Sequence, residues 1–209
     1  LEFLSLHPQV EVEFIEVDKY GRVTAAALAQ KIRPTTVLIS LMWANNETGA
    51  INPVQEISDL ATKNGILFHS DITQALGKVD IDLQKTPVDY VSFSAHKIYG
   101  PKGVGALVEH SRTDKSILRP WMLGGGHQES YRSGTLNTPG IVGLGKACEL
   151  TQSRMASEAL RLYLLREKLW KLISEQFPTA ERNTPQEGIH QVESLPNTLN
   201  VTFVDYQVP

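Results

Sequence analysis

Apolar residues in the first hundred positions fall into short runs separated by segments of helical periodicity. Residues 10–17 alternate β-branched and acidic side chains, which predicts a strand with one wet face, and Asp18-Lys19-Tyr20-Gly21 supplies the turn after it. Thr24 is placed to cap a helix over residues 25–32, which must end near Arg33 because Pro34 disfavours helical geometry before it. A buried strand is expected over 36–44. Pro53 then fits the first turn of a helix over 54–63, and Asn64-Gly65 marks its end. Strands follow over 66–70, 90–95 and 104–108. Such alternation predicts an α/β fold, a mostly parallel sheet flanked by helices. From Pro139 onward the pattern turns helical, over 141–149 with Gly143, Gly145 and Ala147, then over 156–176. Leu160, Leu164, Leu165, Leu169 and Leu172 are expected to form a packed stripe, and Phe177-Pro178 closes the helix. After a polar stretch over 182–193, residues 198–204 read as the first strand of a smaller α+β domain. The domain boundary is therefore expected near Ala156, with 1–155 belonging to a large domain and 156–209 beginning a small, incomplete one.

Composition narrows the partners. The chain has 209 residues, 41% hydrophobic and 21% charged, with a net charge of −3. That is enough for one core and part of a second. Charge so weak and so dispersed makes no field for nucleic acid or an anionic membrane, so a small-molecule substrate is expected. The apolar run 36–44 is far shorter than the roughly 20 residues that cross a bilayer, and the first residues form no signal-peptide pattern. The single cysteine, Cys148, rules out an intramolecular disulfide framework and suits a reducing compartment. A cytoplasmic location is the expectation, with an upstream organelle-targeting segment left open. Because the sequence starts at Leu1 and stops at Tyr206-Gln207-Val208-Pro209, just past a strand-like run, it reads as a fragment.

Four polar clusters fall just past predicted strand ends, where open α/β sheets bind ligands. They are Asn45-Asn46-Glu47-Thr48-Gly49, His69-Ser70-Asp71-Ile72-Thr73-Gln74, Ser92-Phe93-Ser94-Ala95-His96-Lys97 and Arg132-Ser133-Gly134-Thr135. None is read as a metal site. Lys97 alone could simply meet water. Beside Ser94 and His96, however, its amine sits among the hydroxyl and imidazole groups that a phosphate ester bearing an aldehyde would need. An imine-forming lysine must be partly neutral, and burial beside other cations lowers its pKa in that direction. Asp71 suits the ring nitrogen of pyridoxal phosphate, whose electron-sink chemistry needs that nitrogen protonated; a turn cap is its equally weighted alternative. Gln74 and Asn46 are amides able to bond the cofactor's phenolic oxygen. His69 reads as a satisfied polar group and ranks below His96. The glycine-spaced run Gly100-Pro101-Lys102-Gly103-Val104-Gly105 matches neither nucleotide-loop fingerprint, and a strand rather than a helix follows it.

The order and spacing of Ala44-Asn45-Asn46-Glu47-Thr48-Gly49, Phe68-His69-Ser70-Asp71, Gln74-Ala75-Leu76-Gly77-Lys78 and Ser94-Ala95-His96-Lys97-Ile98-Tyr99-Gly100-Pro101-Lys102-Gly103 resemble cysteine desulfurases and the similar selenocysteine lyases, class-V aminotransferase-like enzymes. Gly124-Gly125-Gly126 with Gln128-Glu129, Arg132-Ser133-Gly134-Thr135 and Leu195-Pro196-Asn197-Thr198 continue the match, from about Val10 to Val204. The resemblance implies the fold of aspartate-aminotransferase-like, pyridoxal-phosphate-dependent transferases. It also implies that Lys97 carries the cofactor as an imine, that Ser94 and His96 bind its phosphate, and that Asp71, Gln74 and Asn46 contact its ring. Thr135 would bind the phosphate of the other subunit in a homodimer. The implied reaction releases sulfur or selenium from L-cysteine or L-selenocysteine and leaves L-alanine, with Lys97 and His96 as catalytic groups. A sulfur- or selenium-acceptor protein and a role in iron–sulfur cluster assembly belong to the same implication.

The family's sulfur-accepting cysteine is expected on a loop beyond the strand ending near Val204, past the end of this chain. The N-terminal phosphate loop, the ring-stacking histidine and the substrate-carboxylate arginine are also expected outside it. Cys148, on a predicted packed helix, reads as a small buried thiol rather than that nucleophile. Two rival readings stand beside this one, another aminotransferase-like enzyme of the same cofactor class and a non-catalytic remnant.

Overall fold

A computed structural model describes residues 9–110, 118–186 and 193–205. Part of the polar stretch expected over 182–193, and the chain end from Tyr206, lie outside the described residues. Helix α1, Ala25–Lys31, leads into strand β1, Leu38–Met42; helix α2, Val54–Lys63, leads into β2, Leu67–Asp71; β3, Tyr90–Ser94, and β4, Gly105–Glu109, follow. The sheet runs in the order β1-β2-β3-β4, with the first three strands parallel and β4 antiparallel to β3. The mostly parallel α/β expectation is borne out.

Local signals set the element ends. Thr24 Oγ1 accepts from the Ala27 amide at 3.1 Å and caps α1, while Gly65 takes φ 66° beyond α2, a left-handed conformation that costs glycine least. Asp18 Oδ1 accepts from the amides of Tyr20 at 2.9 Å and Arg22 at 3.0 Å, which closes the expected turn. Period-two alternation then sorts the sheet residues. Ile39, Phe68 and Val91 point into one face, where with Ile57 and Ala61 of α2 they form the core. Ser40, His69, Asp71, Ser92 and Ser94 lie on the other face.

Four expectations need correction. Residues 10–17 form no strand; an isolated bridge joins Val17 to Val23, and Val10, Val12 and Phe14 are exposed. Charge holds that segment instead, for Glu11 pairs with Arg33 at 2.9 Å and Glu13 with Lys31 at 2.6 Å and with Arg33. No ladder partner lies beside it among the described residues. The two expected helices are one, α3, Thr138–Gln176, because residues 146–177 contain neither glycine nor proline to stop propagation. Its leucine stripe is not packed: Leu160, Leu164, Leu165, Leu169 and Leu172 are each at least half exposed. Burial along α3 falls on Gly140, Ala147 and Arg166 instead. Cys148 is half-buried rather than enclosed.

The smaller sheet pairs β5, Ala180–Arg182, antiparallel with β6, Val201–Phe203. Thus the strand expected over 198–204 is present in shorter form, and β5 was not foreseen. Residue 156, the expected domain boundary, lies within continuous α3. Residues 193–196 turn back to the large sheet: the Leu195 amide donates to the Gly49 carbonyl at 2.8 Å, and the Ile51 amide to that of Glu193 at 2.9 Å. Arg166 of α3 donates to the Leu195 carbonyl at 2.6 Å and to Ser194 Oγ at 2.9 Å.

Candidate active site

Three of the four polar clusters converge at the carboxyl edge of β1, β2 and β3. Past β1, Asn45 organises the turn: its Oδ1 accepts from the amides of Glu47 at 2.8 Å and Thr48 at 3.0 Å. Gly49 closes the turn with φ 79°, and a Cβ there would stand 2.8 Å from Thr198 Cβ. The turn and the Leu195-Pro196-Asn197-Thr198 motif, far apart in sequence, are therefore packed together. Asn46 is left exposed, with its amide donating to Glu47 Oε1 at 2.9 Å.

Asp71 is the last residue of β2 and stands in register with Met42 on one side and Ser92 on the other. Its Oδ1 accepts from the Thr73 amide at 2.8 Å, the turn-capping bond. Oδ2 has no hydrogen-bond partner among the described residues, so the same carboxylate keeps an oxygen for a ring N–H. The cap and the ligand role use different oxygens. Beneath it, His69 is held from both sides, Nδ1 2.9 Å from Ser40 Oγ and Nε2 2.9 Å from Ser92 Oγ. Burial lowers the His69 pKa, against the opposing pull of Asp71. This neutral, doubly bonded imidazole rules a row of polar groups across three strands.

Lys97 arises from the way β3 ends. A single 3-10 turn, Ala95–Ile98, buries Ala95 and Ile98 and thereby turns His96 and Lys97 outward. Tyr99 ends the turn in the left-handed region at φ 64°, and the Gly100 amide donates back to the Ala95 carbonyl at 2.9 Å. The turn is braced by α3, since a Cβ on Gly143 would lie 2.5 Å from Pro101 and one on Gly100 3.1 Å from the Ala147 Cβ. These small residues of α3 therefore position the lysine segment. Ser94 makes no side-chain cap to the turn, which leaves its hydroxyl available. The expected burial of Lys97 is absent: it and His96 are exposed.

Gln74 is half-buried and accepts from Lys78, through its carbonyl at 2.7 Å and its Oε1 at 3.5 Å. Thr135 is exposed, and among the described residues no hydrogen bond joins it to the other three clusters. The segment before it is knitted together by bonds from the Trp121 amide to the Tyr131 carbonyl at 3.0 Å and from the Ser133 amide to that of Met122 at 3.0 Å. Two features escaped sequence reasoning. The Ser40–His69–Ser92 row depends on strand register, which no local pattern reveals. Lys78 could have been noticed four residues after Gln74 and one after Gly77, whose added Cβ would lie 2.0 Å from Thr151 of α3.

The donor set fits pyridoxal phosphate: an outward amine, a free serine hydroxyl and an imidazole on one turn, and a carboxylate oxygen without a partner on the next strand. Comparison with known proteins agrees. The aminotransferase class-V family model matches residues 2–202. A cysteine desulfurase IscS of Anaeromyxobacter dehalogenans (strain 2CP-C) is 45% identical over 193 residues, 92% of this chain and 46% of that protein. The IscS of Pseudomonas entomophila (strain L48) is 42% identical over the same shares of each chain. Among solved structures, a NifS-like protein superposes with TM-score 0.87 at 39% identity, over 98% of this chain and 54% of the other. DndA from Streptomyces lividans gives 0.89 at 35% identity, over 99% and 56%. The chain spans about half the length of the curated relatives it matches. The motif resemblance is thus borne out across nearly the whole sequence, and the chain belongs to the class-V aminotransferase family of pyridoxal-phosphate-dependent proteins.

Proposed function

We propose that this chain is the cofactor-anchoring portion of a cysteine desulfurase, which removes sulfur from L-cysteine, or selenium from L-selenocysteine, and leaves L-alanine. The observation that carries the reading is the outward Lys97 on a braced turn beside β2, where Asp71 keeps an oxygen free. Similarity to proteins named cysteine desulfurase at 42–46% identity supports the substrate. Bound here, pyridoxal phosphate supplies an electron sink for bonds broken at the amino-acid substrate. Lys97 Nζ would hold the cofactor and would move protons at the substrate carbons, with His96 as its neighbouring acid or base. The Asp71 carboxylate would hold the ring nitrogen protonated. Asn46 and Gln74 offer amides to the ring oxygen, and Ser94 and His96 offer donors to the phosphate. On the same reading residues 1–155 serve the large domain and 156–209 the small one, joined through α3.

Incubating the full-length protein of which this chain is a portion with pyridoxal phosphate, L-cysteine and a thiol reductant tests this directly. Sulfide and L-alanine are expected in equal amounts. Pyruvate from L-alanine and a keto acid, with no sulfide from L-cysteine, would replace this reading by an amino-transfer one.

The proposal extends to assembly, because exposed Thr135 makes, among the described residues, no hydrogen bond to the cofactor edge of its own chain. Thr135 would reach the phosphate held by a second copy across a two-fold axis. Mixed Lys97→Ala and Thr135→Ala subunits, each weak alone, are then expected to regain activity through heterodimers that hold one intact site. Confirmed subunit exchange with no regained activity would remove the cross-subunit role, and sulfur would leave with an acceptor protein or thiol in either case.

A further inference from the structure

A cavity of about 660 Å3 lies between α3 and the loop following β2, and none of the residues assigned to the cofactor lines it. Trp43, Val79, Met155, Ala159 and Tyr163 make its walls almost wholly apolar. One amine lies on that wall, Lys78. Its position follows from the sequence: Gly77 at φ 73° packs directly on Thr151, which turns the next residue under α3. Among the described residues the Lys78 ammonium bonds only to Gln74, at 2.7 Å and 3.5 Å, and no carboxylate stands within ion-pair distance.

We propose that Lys78 is a covalent modification site selective for uncharged aldehydes with an apolar body. The size of the cavity is that of small-molecule sites generally, and its walls would desolvate a ring or an alkyl chain without loss. An anionic aldehyde would instead bring its charge between apolar walls and toward the Asp80 carboxylate, which also lines the cavity. The step is a condensation. Neutral Nζ attacks the carbonyl carbon, a C–N bond forms, the C–O bond breaks, and the oxygen leaves as water with the two protons the amine gives up.

The electrostatics favour the reactive form. Burial, with the Lys97 charge second, lowers the Lys78 pKa to about 8. The other titratable groups facing it are Asp80 and Tyr163. At pH 8 such an amine is about half neutral, against well under about 1% for a lysine at the ordinary pKa of roughly 10.4. The proposed chemistry at Lys78 needs no bound cofactor, although its amine bonds Gln74 and feels the Lys97 charge.

The test labels the full chain at pH 8 with naphthaldehyde or with glyoxylate, each trapped by cyanoborohydride, and maps the modified lysines by peptide mass spectrometry. Exposed Lys63 and Lys102 serve as internal references. The ratio of naphthaldehyde to glyoxylate labelling is expected to be at least about tenfold higher at Lys78 than at the references, because the apolar walls favour the uncharged ring and disfavour the carboxylate, whereas the neutral fraction of the amine scales both labels alike. An equal ratio overturns the proposal. Ala159→Trp, which fills the cavity from the α3 side, is expected to suppress naphthaldehyde labelling at Lys78 and leave Lys102 unchanged. Undiminished labelling in that variant also overturns it, and the unsubstituted protein decides alone if the variant does not fold.

Discussion

Lys97→Ala is expected to yield a folded, colourless protein. The side chain contributes nothing to the core: Ala95 and Ile98 anchor the turn, and Lys97 points out of it. Stability by thermal unfolding should therefore change little. Cofactor retention should change greatly, because the covalent link disappears and only donors to the phosphate and ring remain. After incubation with pyridoxal phosphate and gel filtration, visible absorbance in the variant is expected to fall below about a tenth of the unsubstituted value, and turnover with it. Full colour in the variant would place the anchor on another lysine, with Lys102 nearest in sequence.

Asp71→Asn separates two roles that meet on one side chain. The capping bond from the Thr73 amide needs an oxygen at Oδ1, which asparagine retains, and asparagine is a good former of such turns. The negative charge, which alone keeps a bound ring nitrogen protonated, is lost. Folding and cofactor content should therefore stay near those of the unsubstituted protein while turnover falls by about 100-fold or more, the scale on which a single preorganised electrostatic partner acts. Turnover unchanged would reduce Asp71 to its turn. A loss of fold with a loss of turnover would point the same way, and unfolding curves distinguish that outcome from the expected one.

The parts of this fold that are legible in the sequence share one property: their determinants are local. Helix α2 has the expected limits because proline begins it and Asn64-Gly65 ends it, and Thr24 caps α1 through its own hydroxyl. The polar clusters past β1, β2 and β3 could be placed at one edge because parallel strands put their carboxyl ends together. What could not be read depends on partners. Alternation over residues 10–17 describes a strand only if a ladder lies beside it, and there two glutamates pair with Lys31 and Arg33 instead. Leucine spacing on α3 specifies a face without saying what lies against it, and the structure leaves that face exposed. Thr151 to Met155 look like a join between helices only because the apolar pattern lapses; with no breaker the backbone continues through.

The site divides in the same way. Lys97, His96 and Ser94 are visible as one motif on one turn. Their support is not, for it comes from Gly143 and Ala147 of α3 packing on residues 100–101. His69 was read as a satisfied polar group, and its two serine partners on neighbouring strands agree with that. Lys78 stands in a motif that gives it no role, because the cover that α3 lays over it appears only in the fold.

Borohydride reduction of the protein after incubation with pyridoxal phosphate, followed by peptide mapping, tests the central claim most directly. The account predicts one pyridoxyl-modified peptide, the one containing Lys97, at close to one label per chain, with Lys78 unlabelled because the phosphate excludes the cofactor from its apolar cavity. A label on Lys78 or Lys102 in place of Lys97, or no stable label at all, would contradict it.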